Sequence, residues 1–247
     1  MLDVQGIRKR FGGITAVDDV SFQVAPHSIT GLIGPNGSGK TVTFNLIGGL
    51  SRVEGGQIFF QGERIDRLSP DAVTQRGIGR TFQNVKIFPD FSVAENLVIM
   101  GQPREVLRCG RSIFWNARPG EIGARNRDLL ELVGLSEKRD EPAGSLSYGQ
   151  QKLLAFVALM ALRPDPGLIL LDEPMAGVNP RLVTTLLGLI RLFQARGKTF
   201  LIIEHDMRVI MELCSTVIVL DQGRKIAEGP PTEVRRDERV IEAYLGR

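Results

Sequence analysis

The run Gly34-Pro35-Asn36-Gly37-Ser38-Gly39-Lys40-Thr41 constrains this chain more than any other stretch. It fits the pattern Gly, four residues, Gly-Lys-Ser/Thr, which needs a strand before it and a helix after it. Residues 28–33 are short and largely apolar, as a buried strand is, and the run from Lys40 to Leu50 can form a helix. Glycines let backbone N–H groups point inward as a concave anion nest, and a helix start adds partial positive charge. In that context Lys40 reaches the β- and γ-phosphates of a nucleotide, and the Thr41 hydroxyl holds Mg²⁺. The alternative is a glycine-rich turn that binds nothing. Such a pattern arises by chance in roughly one chain in a hundred of this length, so the later motifs decide.

The totals bound the partners. The 247 residues suit one large domain or two small ones, and 43% hydrophobic residues supply a core. The formal charge is +3 and the pI about 9.1. That is mildly basic, without the concentrated Lys/Arg stripe of a nucleic-acid reader, so no nucleic-acid partner is expected. Cys109 and Cys214 are the two cysteines. Their separation gives neither metal-ligand spacing nor a disulfide scaffold, which fits a reducing cytosol. Met1-Leu2-Asp3-Val4 does not open a signal peptide. The longest apolar run, Leu153 to Leu162, is ten residues, and a bilayer needs about twenty. Any membrane role is expected to run through a partner.

Residues 2–7 and 17–24 read as strands, with Phe11 in the loop that Gly12-Gly13 turns. Phe11 is either a core aromatic under that turn or a stacking platform for a purine ring. Residues 57–60 read as a strand, Ser69-Pro70 as a capped helix start, and Ile78 to Phe82 as a strand ending at Gln83. Ser92 caps a helix through Met100. Residues 101–121, rich in Gly, Pro and Arg and holding Trp115, are expected to be irregular or mobile. A helix runs from about Ala124 through Val133. Another follows Leu146-Ser147-Tyr148-Gly149-Gln150 to about Leu162; it is apolar almost all round and so buried on several sides. Then come a strand at Leu168–Leu171, a helix from Asn179-Pro180 to Arg196, and a strand at Thr199–Ile203. A helix to Leu213, a strand at Val217–Leu220, a turn at Asp221–Arg224 and a helix from Asp237 to Leu245 complete the chain. Apolar strands alternating with helices indicate an α/β fold with a parallel sheet covered on both faces.

Several polar residues fall where strands end. Asp172-Glu173 closes an apolar strand, and strand carboxyl ends face the ligand crevice of an α/β sheet. One carboxylate can bind Mg²⁺ through water while the next deprotonates an attacking water; alternatively the pair merely leaves the core for solvent. His205, one of two histidines, also follows an apolar strand. It is either a packed or solvated ring or a donor to a γ-phosphate. Gln83 is a surface amide or a group that touches both Mg²⁺ and the attacking water.

Together these pieces resemble the ATP-binding cassette of ABC transporters over essentially the whole chain. Gly34–Thr41 matches the phosphate loop, with Val42 next to it, and Gln83 matches the Q-loop. Leu146–Gln150 resembles the signature Leu-Ser-Gly-Gly-Gln, with Ser147, Tyr148, Gly149 and Gln150 in its last four places. Residues 168–171 with Asp172-Glu173-Pro174 match Walker B and the catalytic glutamate. Ala176-Gly177-Val178-Asn179 matches the D-loop, His205 the switch histidine, and Phe11 the adenine-stacking aromatic. The resemblance implies a P-loop (RecA-like) ABC ATPase core with an N-terminal antiparallel β portion. A helical subdomain is inserted at about 90–162, and one nucleotide-binding domain spans 1–247. It implies ATP and Mg²⁺ as cofactors, with Thr41, Gln83 and Asp172 around the metal and Glu173, His205 and Gln83 in catalysis. It also implies a second cassette, whose ATP the signature contacts, transmembrane permease subunits and, indirectly, a solute-binding protein, all at the cytoplasmic face of the cell membrane.

Within the family, Lys9–Gly13, Arg80–Asn84, Ser147–Gln151, Glu204–Met207 and Val240–Gly246 look like the ATPase of a branched-chain amino acid importer. Related cassettes serve urea or amide import or lipopolysaccharide export. Soluble members that act on DNA carry a long coiled coil between phosphate loop and signature, and this gap has no sustained heptads. Ribosome-acting members carry two cassettes, and this chain has one. A binding module without catalysis would lack Glu173 or His205. The chain departs from the common family pattern at Val42, where Thr or Ser is usual, at Tyr148 and at Asn179, whose side chain can cap the helix that Pro180 begins. It also departs at Lys152-Leu153-Leu154-Ala155-Phe156, where relatives carry more Arg.

Overall fold

The computed structural model describes residues 1–81, 87–101, 123–162 and 164–245. β1 (Leu2–Phe11) and β2 (Ile14–Val24) form an antiparallel hairpin. Leu2, Val4, Val20, Phe22 and Val24 are buried in the period of two that a strand imposes. Both strands run further toward Gly12-Gly13 than their alternation shows. Register shifts between Val4 and Arg10 break the period, with Gly6 and Asp19 at positive φ beside them. The ammonium of Lys9 pairs with Glu54 at 2.9 Å on the outer edge. Phe11 therefore ends a strand opposite Ile14 rather than lying in a loop. At 51% exposure it is not a core aromatic.

β3 (Ile29–Ile33) leads through residues 34–39 into α1 (Lys40–Ile47). β4 (Gly55–Phe60) and the short β5 (Glu63–Arg64) complete a four-stranded antiparallel sheet in the order β2-β1-β4-β5. α2 (Pro70–Gln75) starts as the Ser69-Pro70 pair predicts, with the Ser69 hydroxyl accepting from the Ala72 amide. β6 (Ile78–Arg80) follows. The rest of the predicted strand, Phe82 and Gln83, lies outside the described residues, as does nearly all of 101–121.

The helical insertion lies between β6 and β7 in the chain. Among the described residues it holds α3 (Val93–Gly101), α4 (Ala124–Leu132) and α5 (Tyr148–Ala161). Ser92 caps α3 reciprocally: its hydroxyl accepts from the Glu95 amide, and the Glu95 carboxylate accepts from the Ser92 amide. α5 buries nine of its fourteen residues, as its nearly unbroken apolar run requires.

The chain then alternates β7 (Leu168–Asp172), α6 (Pro180–Ala195), β8 (Thr199–Ile203), α7 (Met207–Leu213) and β9 (Thr216–Asp221). β10 (Arg224–Gly229) turns back antiparallel on β9, and α8 (Pro231–Val234) and α9 (Glu238–Leu245) follow. The six-stranded sheet runs β10-β9-β3-β8-β7-β6, parallel except for β10. Its residues alternate between two cores. Ile169, Leu171, Phe200 and Ile202 face α5, α6 and α7, whereas Leu168, Leu170, Leu201 and Ile203 face α1 and the antiparallel sheet. Burial on both faces explains why these strands read as continuous apolar runs. Among the described residues no helix is long and apolar enough to cross a membrane.

Candidate active site

The site gathers at the carboxyl ends of β3, β7 and β8, three adjacent parallel strands. This is where an α/β sheet opens its ligand crevice. The loop after β3 is built on glycine by necessity. Gly34 has φ +147°, and a Cβ there would lie 2.0 Å from the Leu220 carbonyl oxygen. Gly39 has φ +100°, and its Cβ would lie 2.5 Å from the Ala16 carbonyl oxygen. The loop is thus seated between the β1–β2 hairpin and the end of β9, and the Gly223 amide donates to the Ser38 carbonyl at 3.1 Å. Gly34→Ala is expected to lower stability by about 3 kcal/mol, since the Leu220 carbonyl and the Ser38 hydroxyl leave a methyl no room. A thermal melt and an ATP titration check it; a variant with wild-type Tm and affinity would refute the fit.

Lys40 opens α1, and no described side chain caps that helix at Gly39. Its first-turn amides are therefore free to meet an anion. The Lys40 ammonium is buried and donates to the carbonyls of Gly34 and Pro35, both at 2.8 Å. Burial lowers its proton affinity, and the nearby Glu173 and Asp172 carboxylates work against that. Thr41 is exposed at the same turn. Val42 is half-buried against the core under α1, which accounts for an apolar side chain where the family pattern has a hydroxyl.

Asp172 and Glu173 leave β7 in different environments. Asp172 is buried beside Arg80, whose Nη2 donates to Oδ2 at 3.4 Å, and its amide donates to the Thr81 hydroxyl at 3.1 Å. Burial raises the Asp172 pKa, and the Arg80 guanidinium pulls it back. Glu173 takes a left-handed backbone, φ +49°, which costs a non-glycine residue roughly 1–2 kcal/mol. Its amide donates to the Ile203 carbonyl at 3.0 Å, and its Oε1 lies 2.5 Å from His205 Nε2. In-register pairing of Asp172 with Ile203 puts the two strand ends side by side and so brings these residues together.

The Ser147–Gln150 stretch starts α5 as a capping box. The Ser147 hydroxyl accepts from the Gln150 amide, and the Gln150 side-chain oxygen accepts from the Ser147 amide. Tyr148 is exposed, and its ring lies against Gly177. Gly149 faces Leu182, the end of a flexible side chain. Ala176 donates its amide to the Glu173 carbonyl, Gly177 has φ +70°, and Val178 packs half-buried on the core. Asn179 Oδ1 accepts from the Leu182 amide at 3.0 Å, capping α6 before Pro180. Among the described residues no hydrogen bond joins Ser147–Gln150 to the loop at 34–42, so one chain does not close the two anion-binding elements around one ligand. Phe11 projects from the hairpin that also presents Ala16 to Gly39. Gln83 lies outside the described residues.

The sequence reading names three residues of this region only within longer stretches and gives them no role: Arg80 beside Asp172, Glu204 beside His205, and Lys152 on α5. Glu204 is buried with a raised pKa caused by that burial, and its Oε1 accepts from the Met175 amide at 2.8 Å. Lys152 donates to the carbonyls of Pro174 and Ala176. The only signal for these residues was position: an arginine and a glutamate at strand ends, and a lone lysine in an apolar helix.

Comparisons with known proteins show the family and the fold. The family model described as ABC transporter matches residues 17–176. A second, described as branched-chain amino acid ATP-binding cassette transporter, matches residues 224–247. The chain is 36% identical to the high-affinity branched-chain amino acid transport ATP-binding protein BraF of Pseudomonas aeruginosa, over 100% of this chain and 98% of that protein. It is 35% identical to LivG of Escherichia coli, which carries the same description, with the same coverage. Among solved structures, a nucleotide-free ATP-binding cassette from an ABC transporter superposes with TM-score 0.83 at 33% identity, over 100% of this chain and 99% of that one. An ABC transporter cassette in its ADP conformation gives 0.84 at 33% identity with the same coverage. The chain therefore belongs to the ABC transporter family, as an ATP-hydrolysing cassette subunit related to the branched-chain amino acid importer ATPases.

Proposed function

We propose that this cassette powers the import of branched-chain amino acids, with Glu173 and His205 as its hydrolytic pair. The observation that carries the chemical part is the 2.5 Å contact between Glu173 Oε1 and His205 Nε2, at the ends of neighbouring strands and beside the Lys40 loop. Glu173 takes the proton of the attacking water as its oxygen bonds to the γ-phosphorus. The bond from that phosphorus to the β,γ-bridging oxygen breaks, giving ADP and phosphate. His205 orients the glutamate and, with Gln83, contacts the γ-phosphate. Lys40 and the α1 amides hold the phosphates, and Phe11 stacks on adenine.

The Thr41 hydroxyl and the Asp172 carboxylate are hard oxygen donors suited to Mg²⁺, which itself supplies charge neutralisation on the phosphates. Arg80 holds Asp172 oriented for that role. Ser147 and Gly149 present the start of α5 to the ATP of a second cassette, which is why the two elements stand apart within one chain. Two cassettes then close on two ATP molecules and open after hydrolysis.

The transport part rests on the relatives, whose names specify branched-chain amino acid transport. Permease subunits and a solute-binding protein would complete the importer at the cytoplasmic face of the membrane. A cavity of about 530 Å³, lined by Arg80, Ile87, Phe88, Phe156 and Glu173 among others, opens between α5 and the sheet. It fits an inserted permease helix beside Ile87 and Phe88. The test is co-purification of a tagged Glu173→Gln protein from source membranes with ATP. Two permease subunits encoded with a leucine-, isoleucine- or valine-binding protein are expected. Permeases for urea or lipopolysaccharide would overturn the substrate, and ribosomes or DNA proteins would overturn the transport reading while leaving the ATPase chemistry intact.

A further inference from the structure

The turn that carries Glu173 is gripped by two buried charges for which hydrolysis alone gives no role. Lys152 lies in the second turn of α5 and is 8% exposed. Its ammonium donates to the Pro174 carbonyl at 3.1 Å and to the Ala176 carbonyl at 2.6 Å. It also stands 5.5 Å from the centroid of the Tyr148 ring. Glu204 takes hold of the same turn after β8. Its Oε1 accepts from the Met175 amide at 2.8 Å, and its Oε2 accepts from the His205 amide at 3.2 Å. Residues 174, 175 and 176 are thus each held through a backbone polar group, directly after the left-handed Glu173.

A flexible ammonium with three donors suits this place. It can satisfy two carbonyls and an aromatic face at once, which an apolar side chain of the same length cannot. The geometry also connects two locations. α5 begins at Ser147–Gln150, and the turn begins at Glu173, so Lys152 is a rigid tie between the signature and the base of the same chain.

We propose that Lys152 is a positioning residue that aims the Glu173 carboxylate and makes that aim depend on how α5 is seated. This rests on the proposed roles of Glu173 and of the signature. In a dimer, the start of α5 meets the ATP of the partner cassette while Glu173 meets its own. A shift of α5 caused by one ATP therefore reaches the base that acts on the other. Glu204 couples the same turn to His205, so base and histidine move as one unit.

The experiment uses the full-length protein in parallel as wild type, Lys152→Met, Lys152→Arg, Lys152→Gln and Glu173→Gln. Steady-state hydrolysis is measured against ATP concentration, with a thermal melt and equilibrium ATP binding for each. Lys152→Met is expected to lower kcat roughly ten- to hundredfold, the scale of a misplaced catalytic group. KM and ATP affinity should stay within about threefold, because the phosphate loop is untouched. The cooperativity of hydrolysis in ATP should be lost. Lys152→Arg, which can still reach the carbonyls, should restore most of the rate. If the Met protein does not fold, Lys152→Gln stands in for it, with an intermediate kcat expected. A folded Met or Gln variant with wild-type kcat and cooperativity overturns the proposal. So does a loss in which kcat, KM and Tm all worsen together and Arg gives no recovery, since that marks packing alone. Wild-type hydrolysis by Glu173→Gln would instead overturn the base assignment, and this inference with it.

Discussion

Glu173→Gln should abolish most hydrolysis while retaining ATP. Glutamine matches glutamate in length and rotamers, so it can keep the φ +49° backbone, the amide bond to Ile203 and a hydrogen bond to His205 Nε2. It cannot accept the proton of the attacking water. Removing a positioned general base costs roughly 10²–10⁴ in rate, so kcat should fall by that range with ATP affinity preserved. Since opening follows loss of the γ-phosphate, the variant should also accumulate as an ATP-bound dimer, visible by light scattering after size exclusion. Normal turnover would remove Glu173 from the chemistry. Lost turnover without a stable dimer would separate the base from the opening step.

Lys40→Ala should act on binding instead. The ammonium is buried and donates to Gly34 and Pro35, carbonyls of the loop it serves. Removing it takes away the one positive side chain in the nest and leaves those carbonyls without their donor. Truncating one partner of a buried, hydrogen-bonded charge contact costs about 2–5 kcal/mol. A loss near the middle of that range is on the order of a hundredfold or more in Kd for ATP. Lys40→Arg should fail to rescue, because a planar guanidinium cannot replace a compact ammonium bonded by adjacent carbonyls. Isothermal titration with ATP reads both, and wild-type affinity in either variant would contradict the assignment.

What could be read from the chain follows from how local each signal is. β7 and β8 were legible almost to the residue because a strand buried on both faces is a pure apolar run that stops at an acidic residue. Asn179-Pro180 and Ser69-Pro70 were legible because a cap and its proline act within three residues. The outer halves of β1 and β2 were not, since register shifts replace the alternation there. The two-residue β5 and the four-residue α8 are too short to show a period. The site divides the same way. Lys40, Asp172 and Glu173 announce themselves within motifs. Arg80 and Lys152 act on partners distant in sequence, at Asp172 and at Pro174 and Ala176, and no short pattern encodes such a contact.

The seating of the phosphate loop also governs when it can exist during synthesis. β3 is bordered by β8 and β9, with Ile29 beside Phe200 and Thr30 beside Thr216, and Gly34 rests on Leu220. The loop and its hairpin wall at Ala16 are made early by the ribosome, but its other wall, at Leu220 and Gly223, comes from the last fifth of the chain. Contacts of such long sequence separation form late, because closing a long loop must precede any gain from it. A nascent chain therefore carries the nucleotide-binding sequence long before it has a nucleotide-binding site. It commits to ATP only when the segment up to Gly223 has emerged and paired.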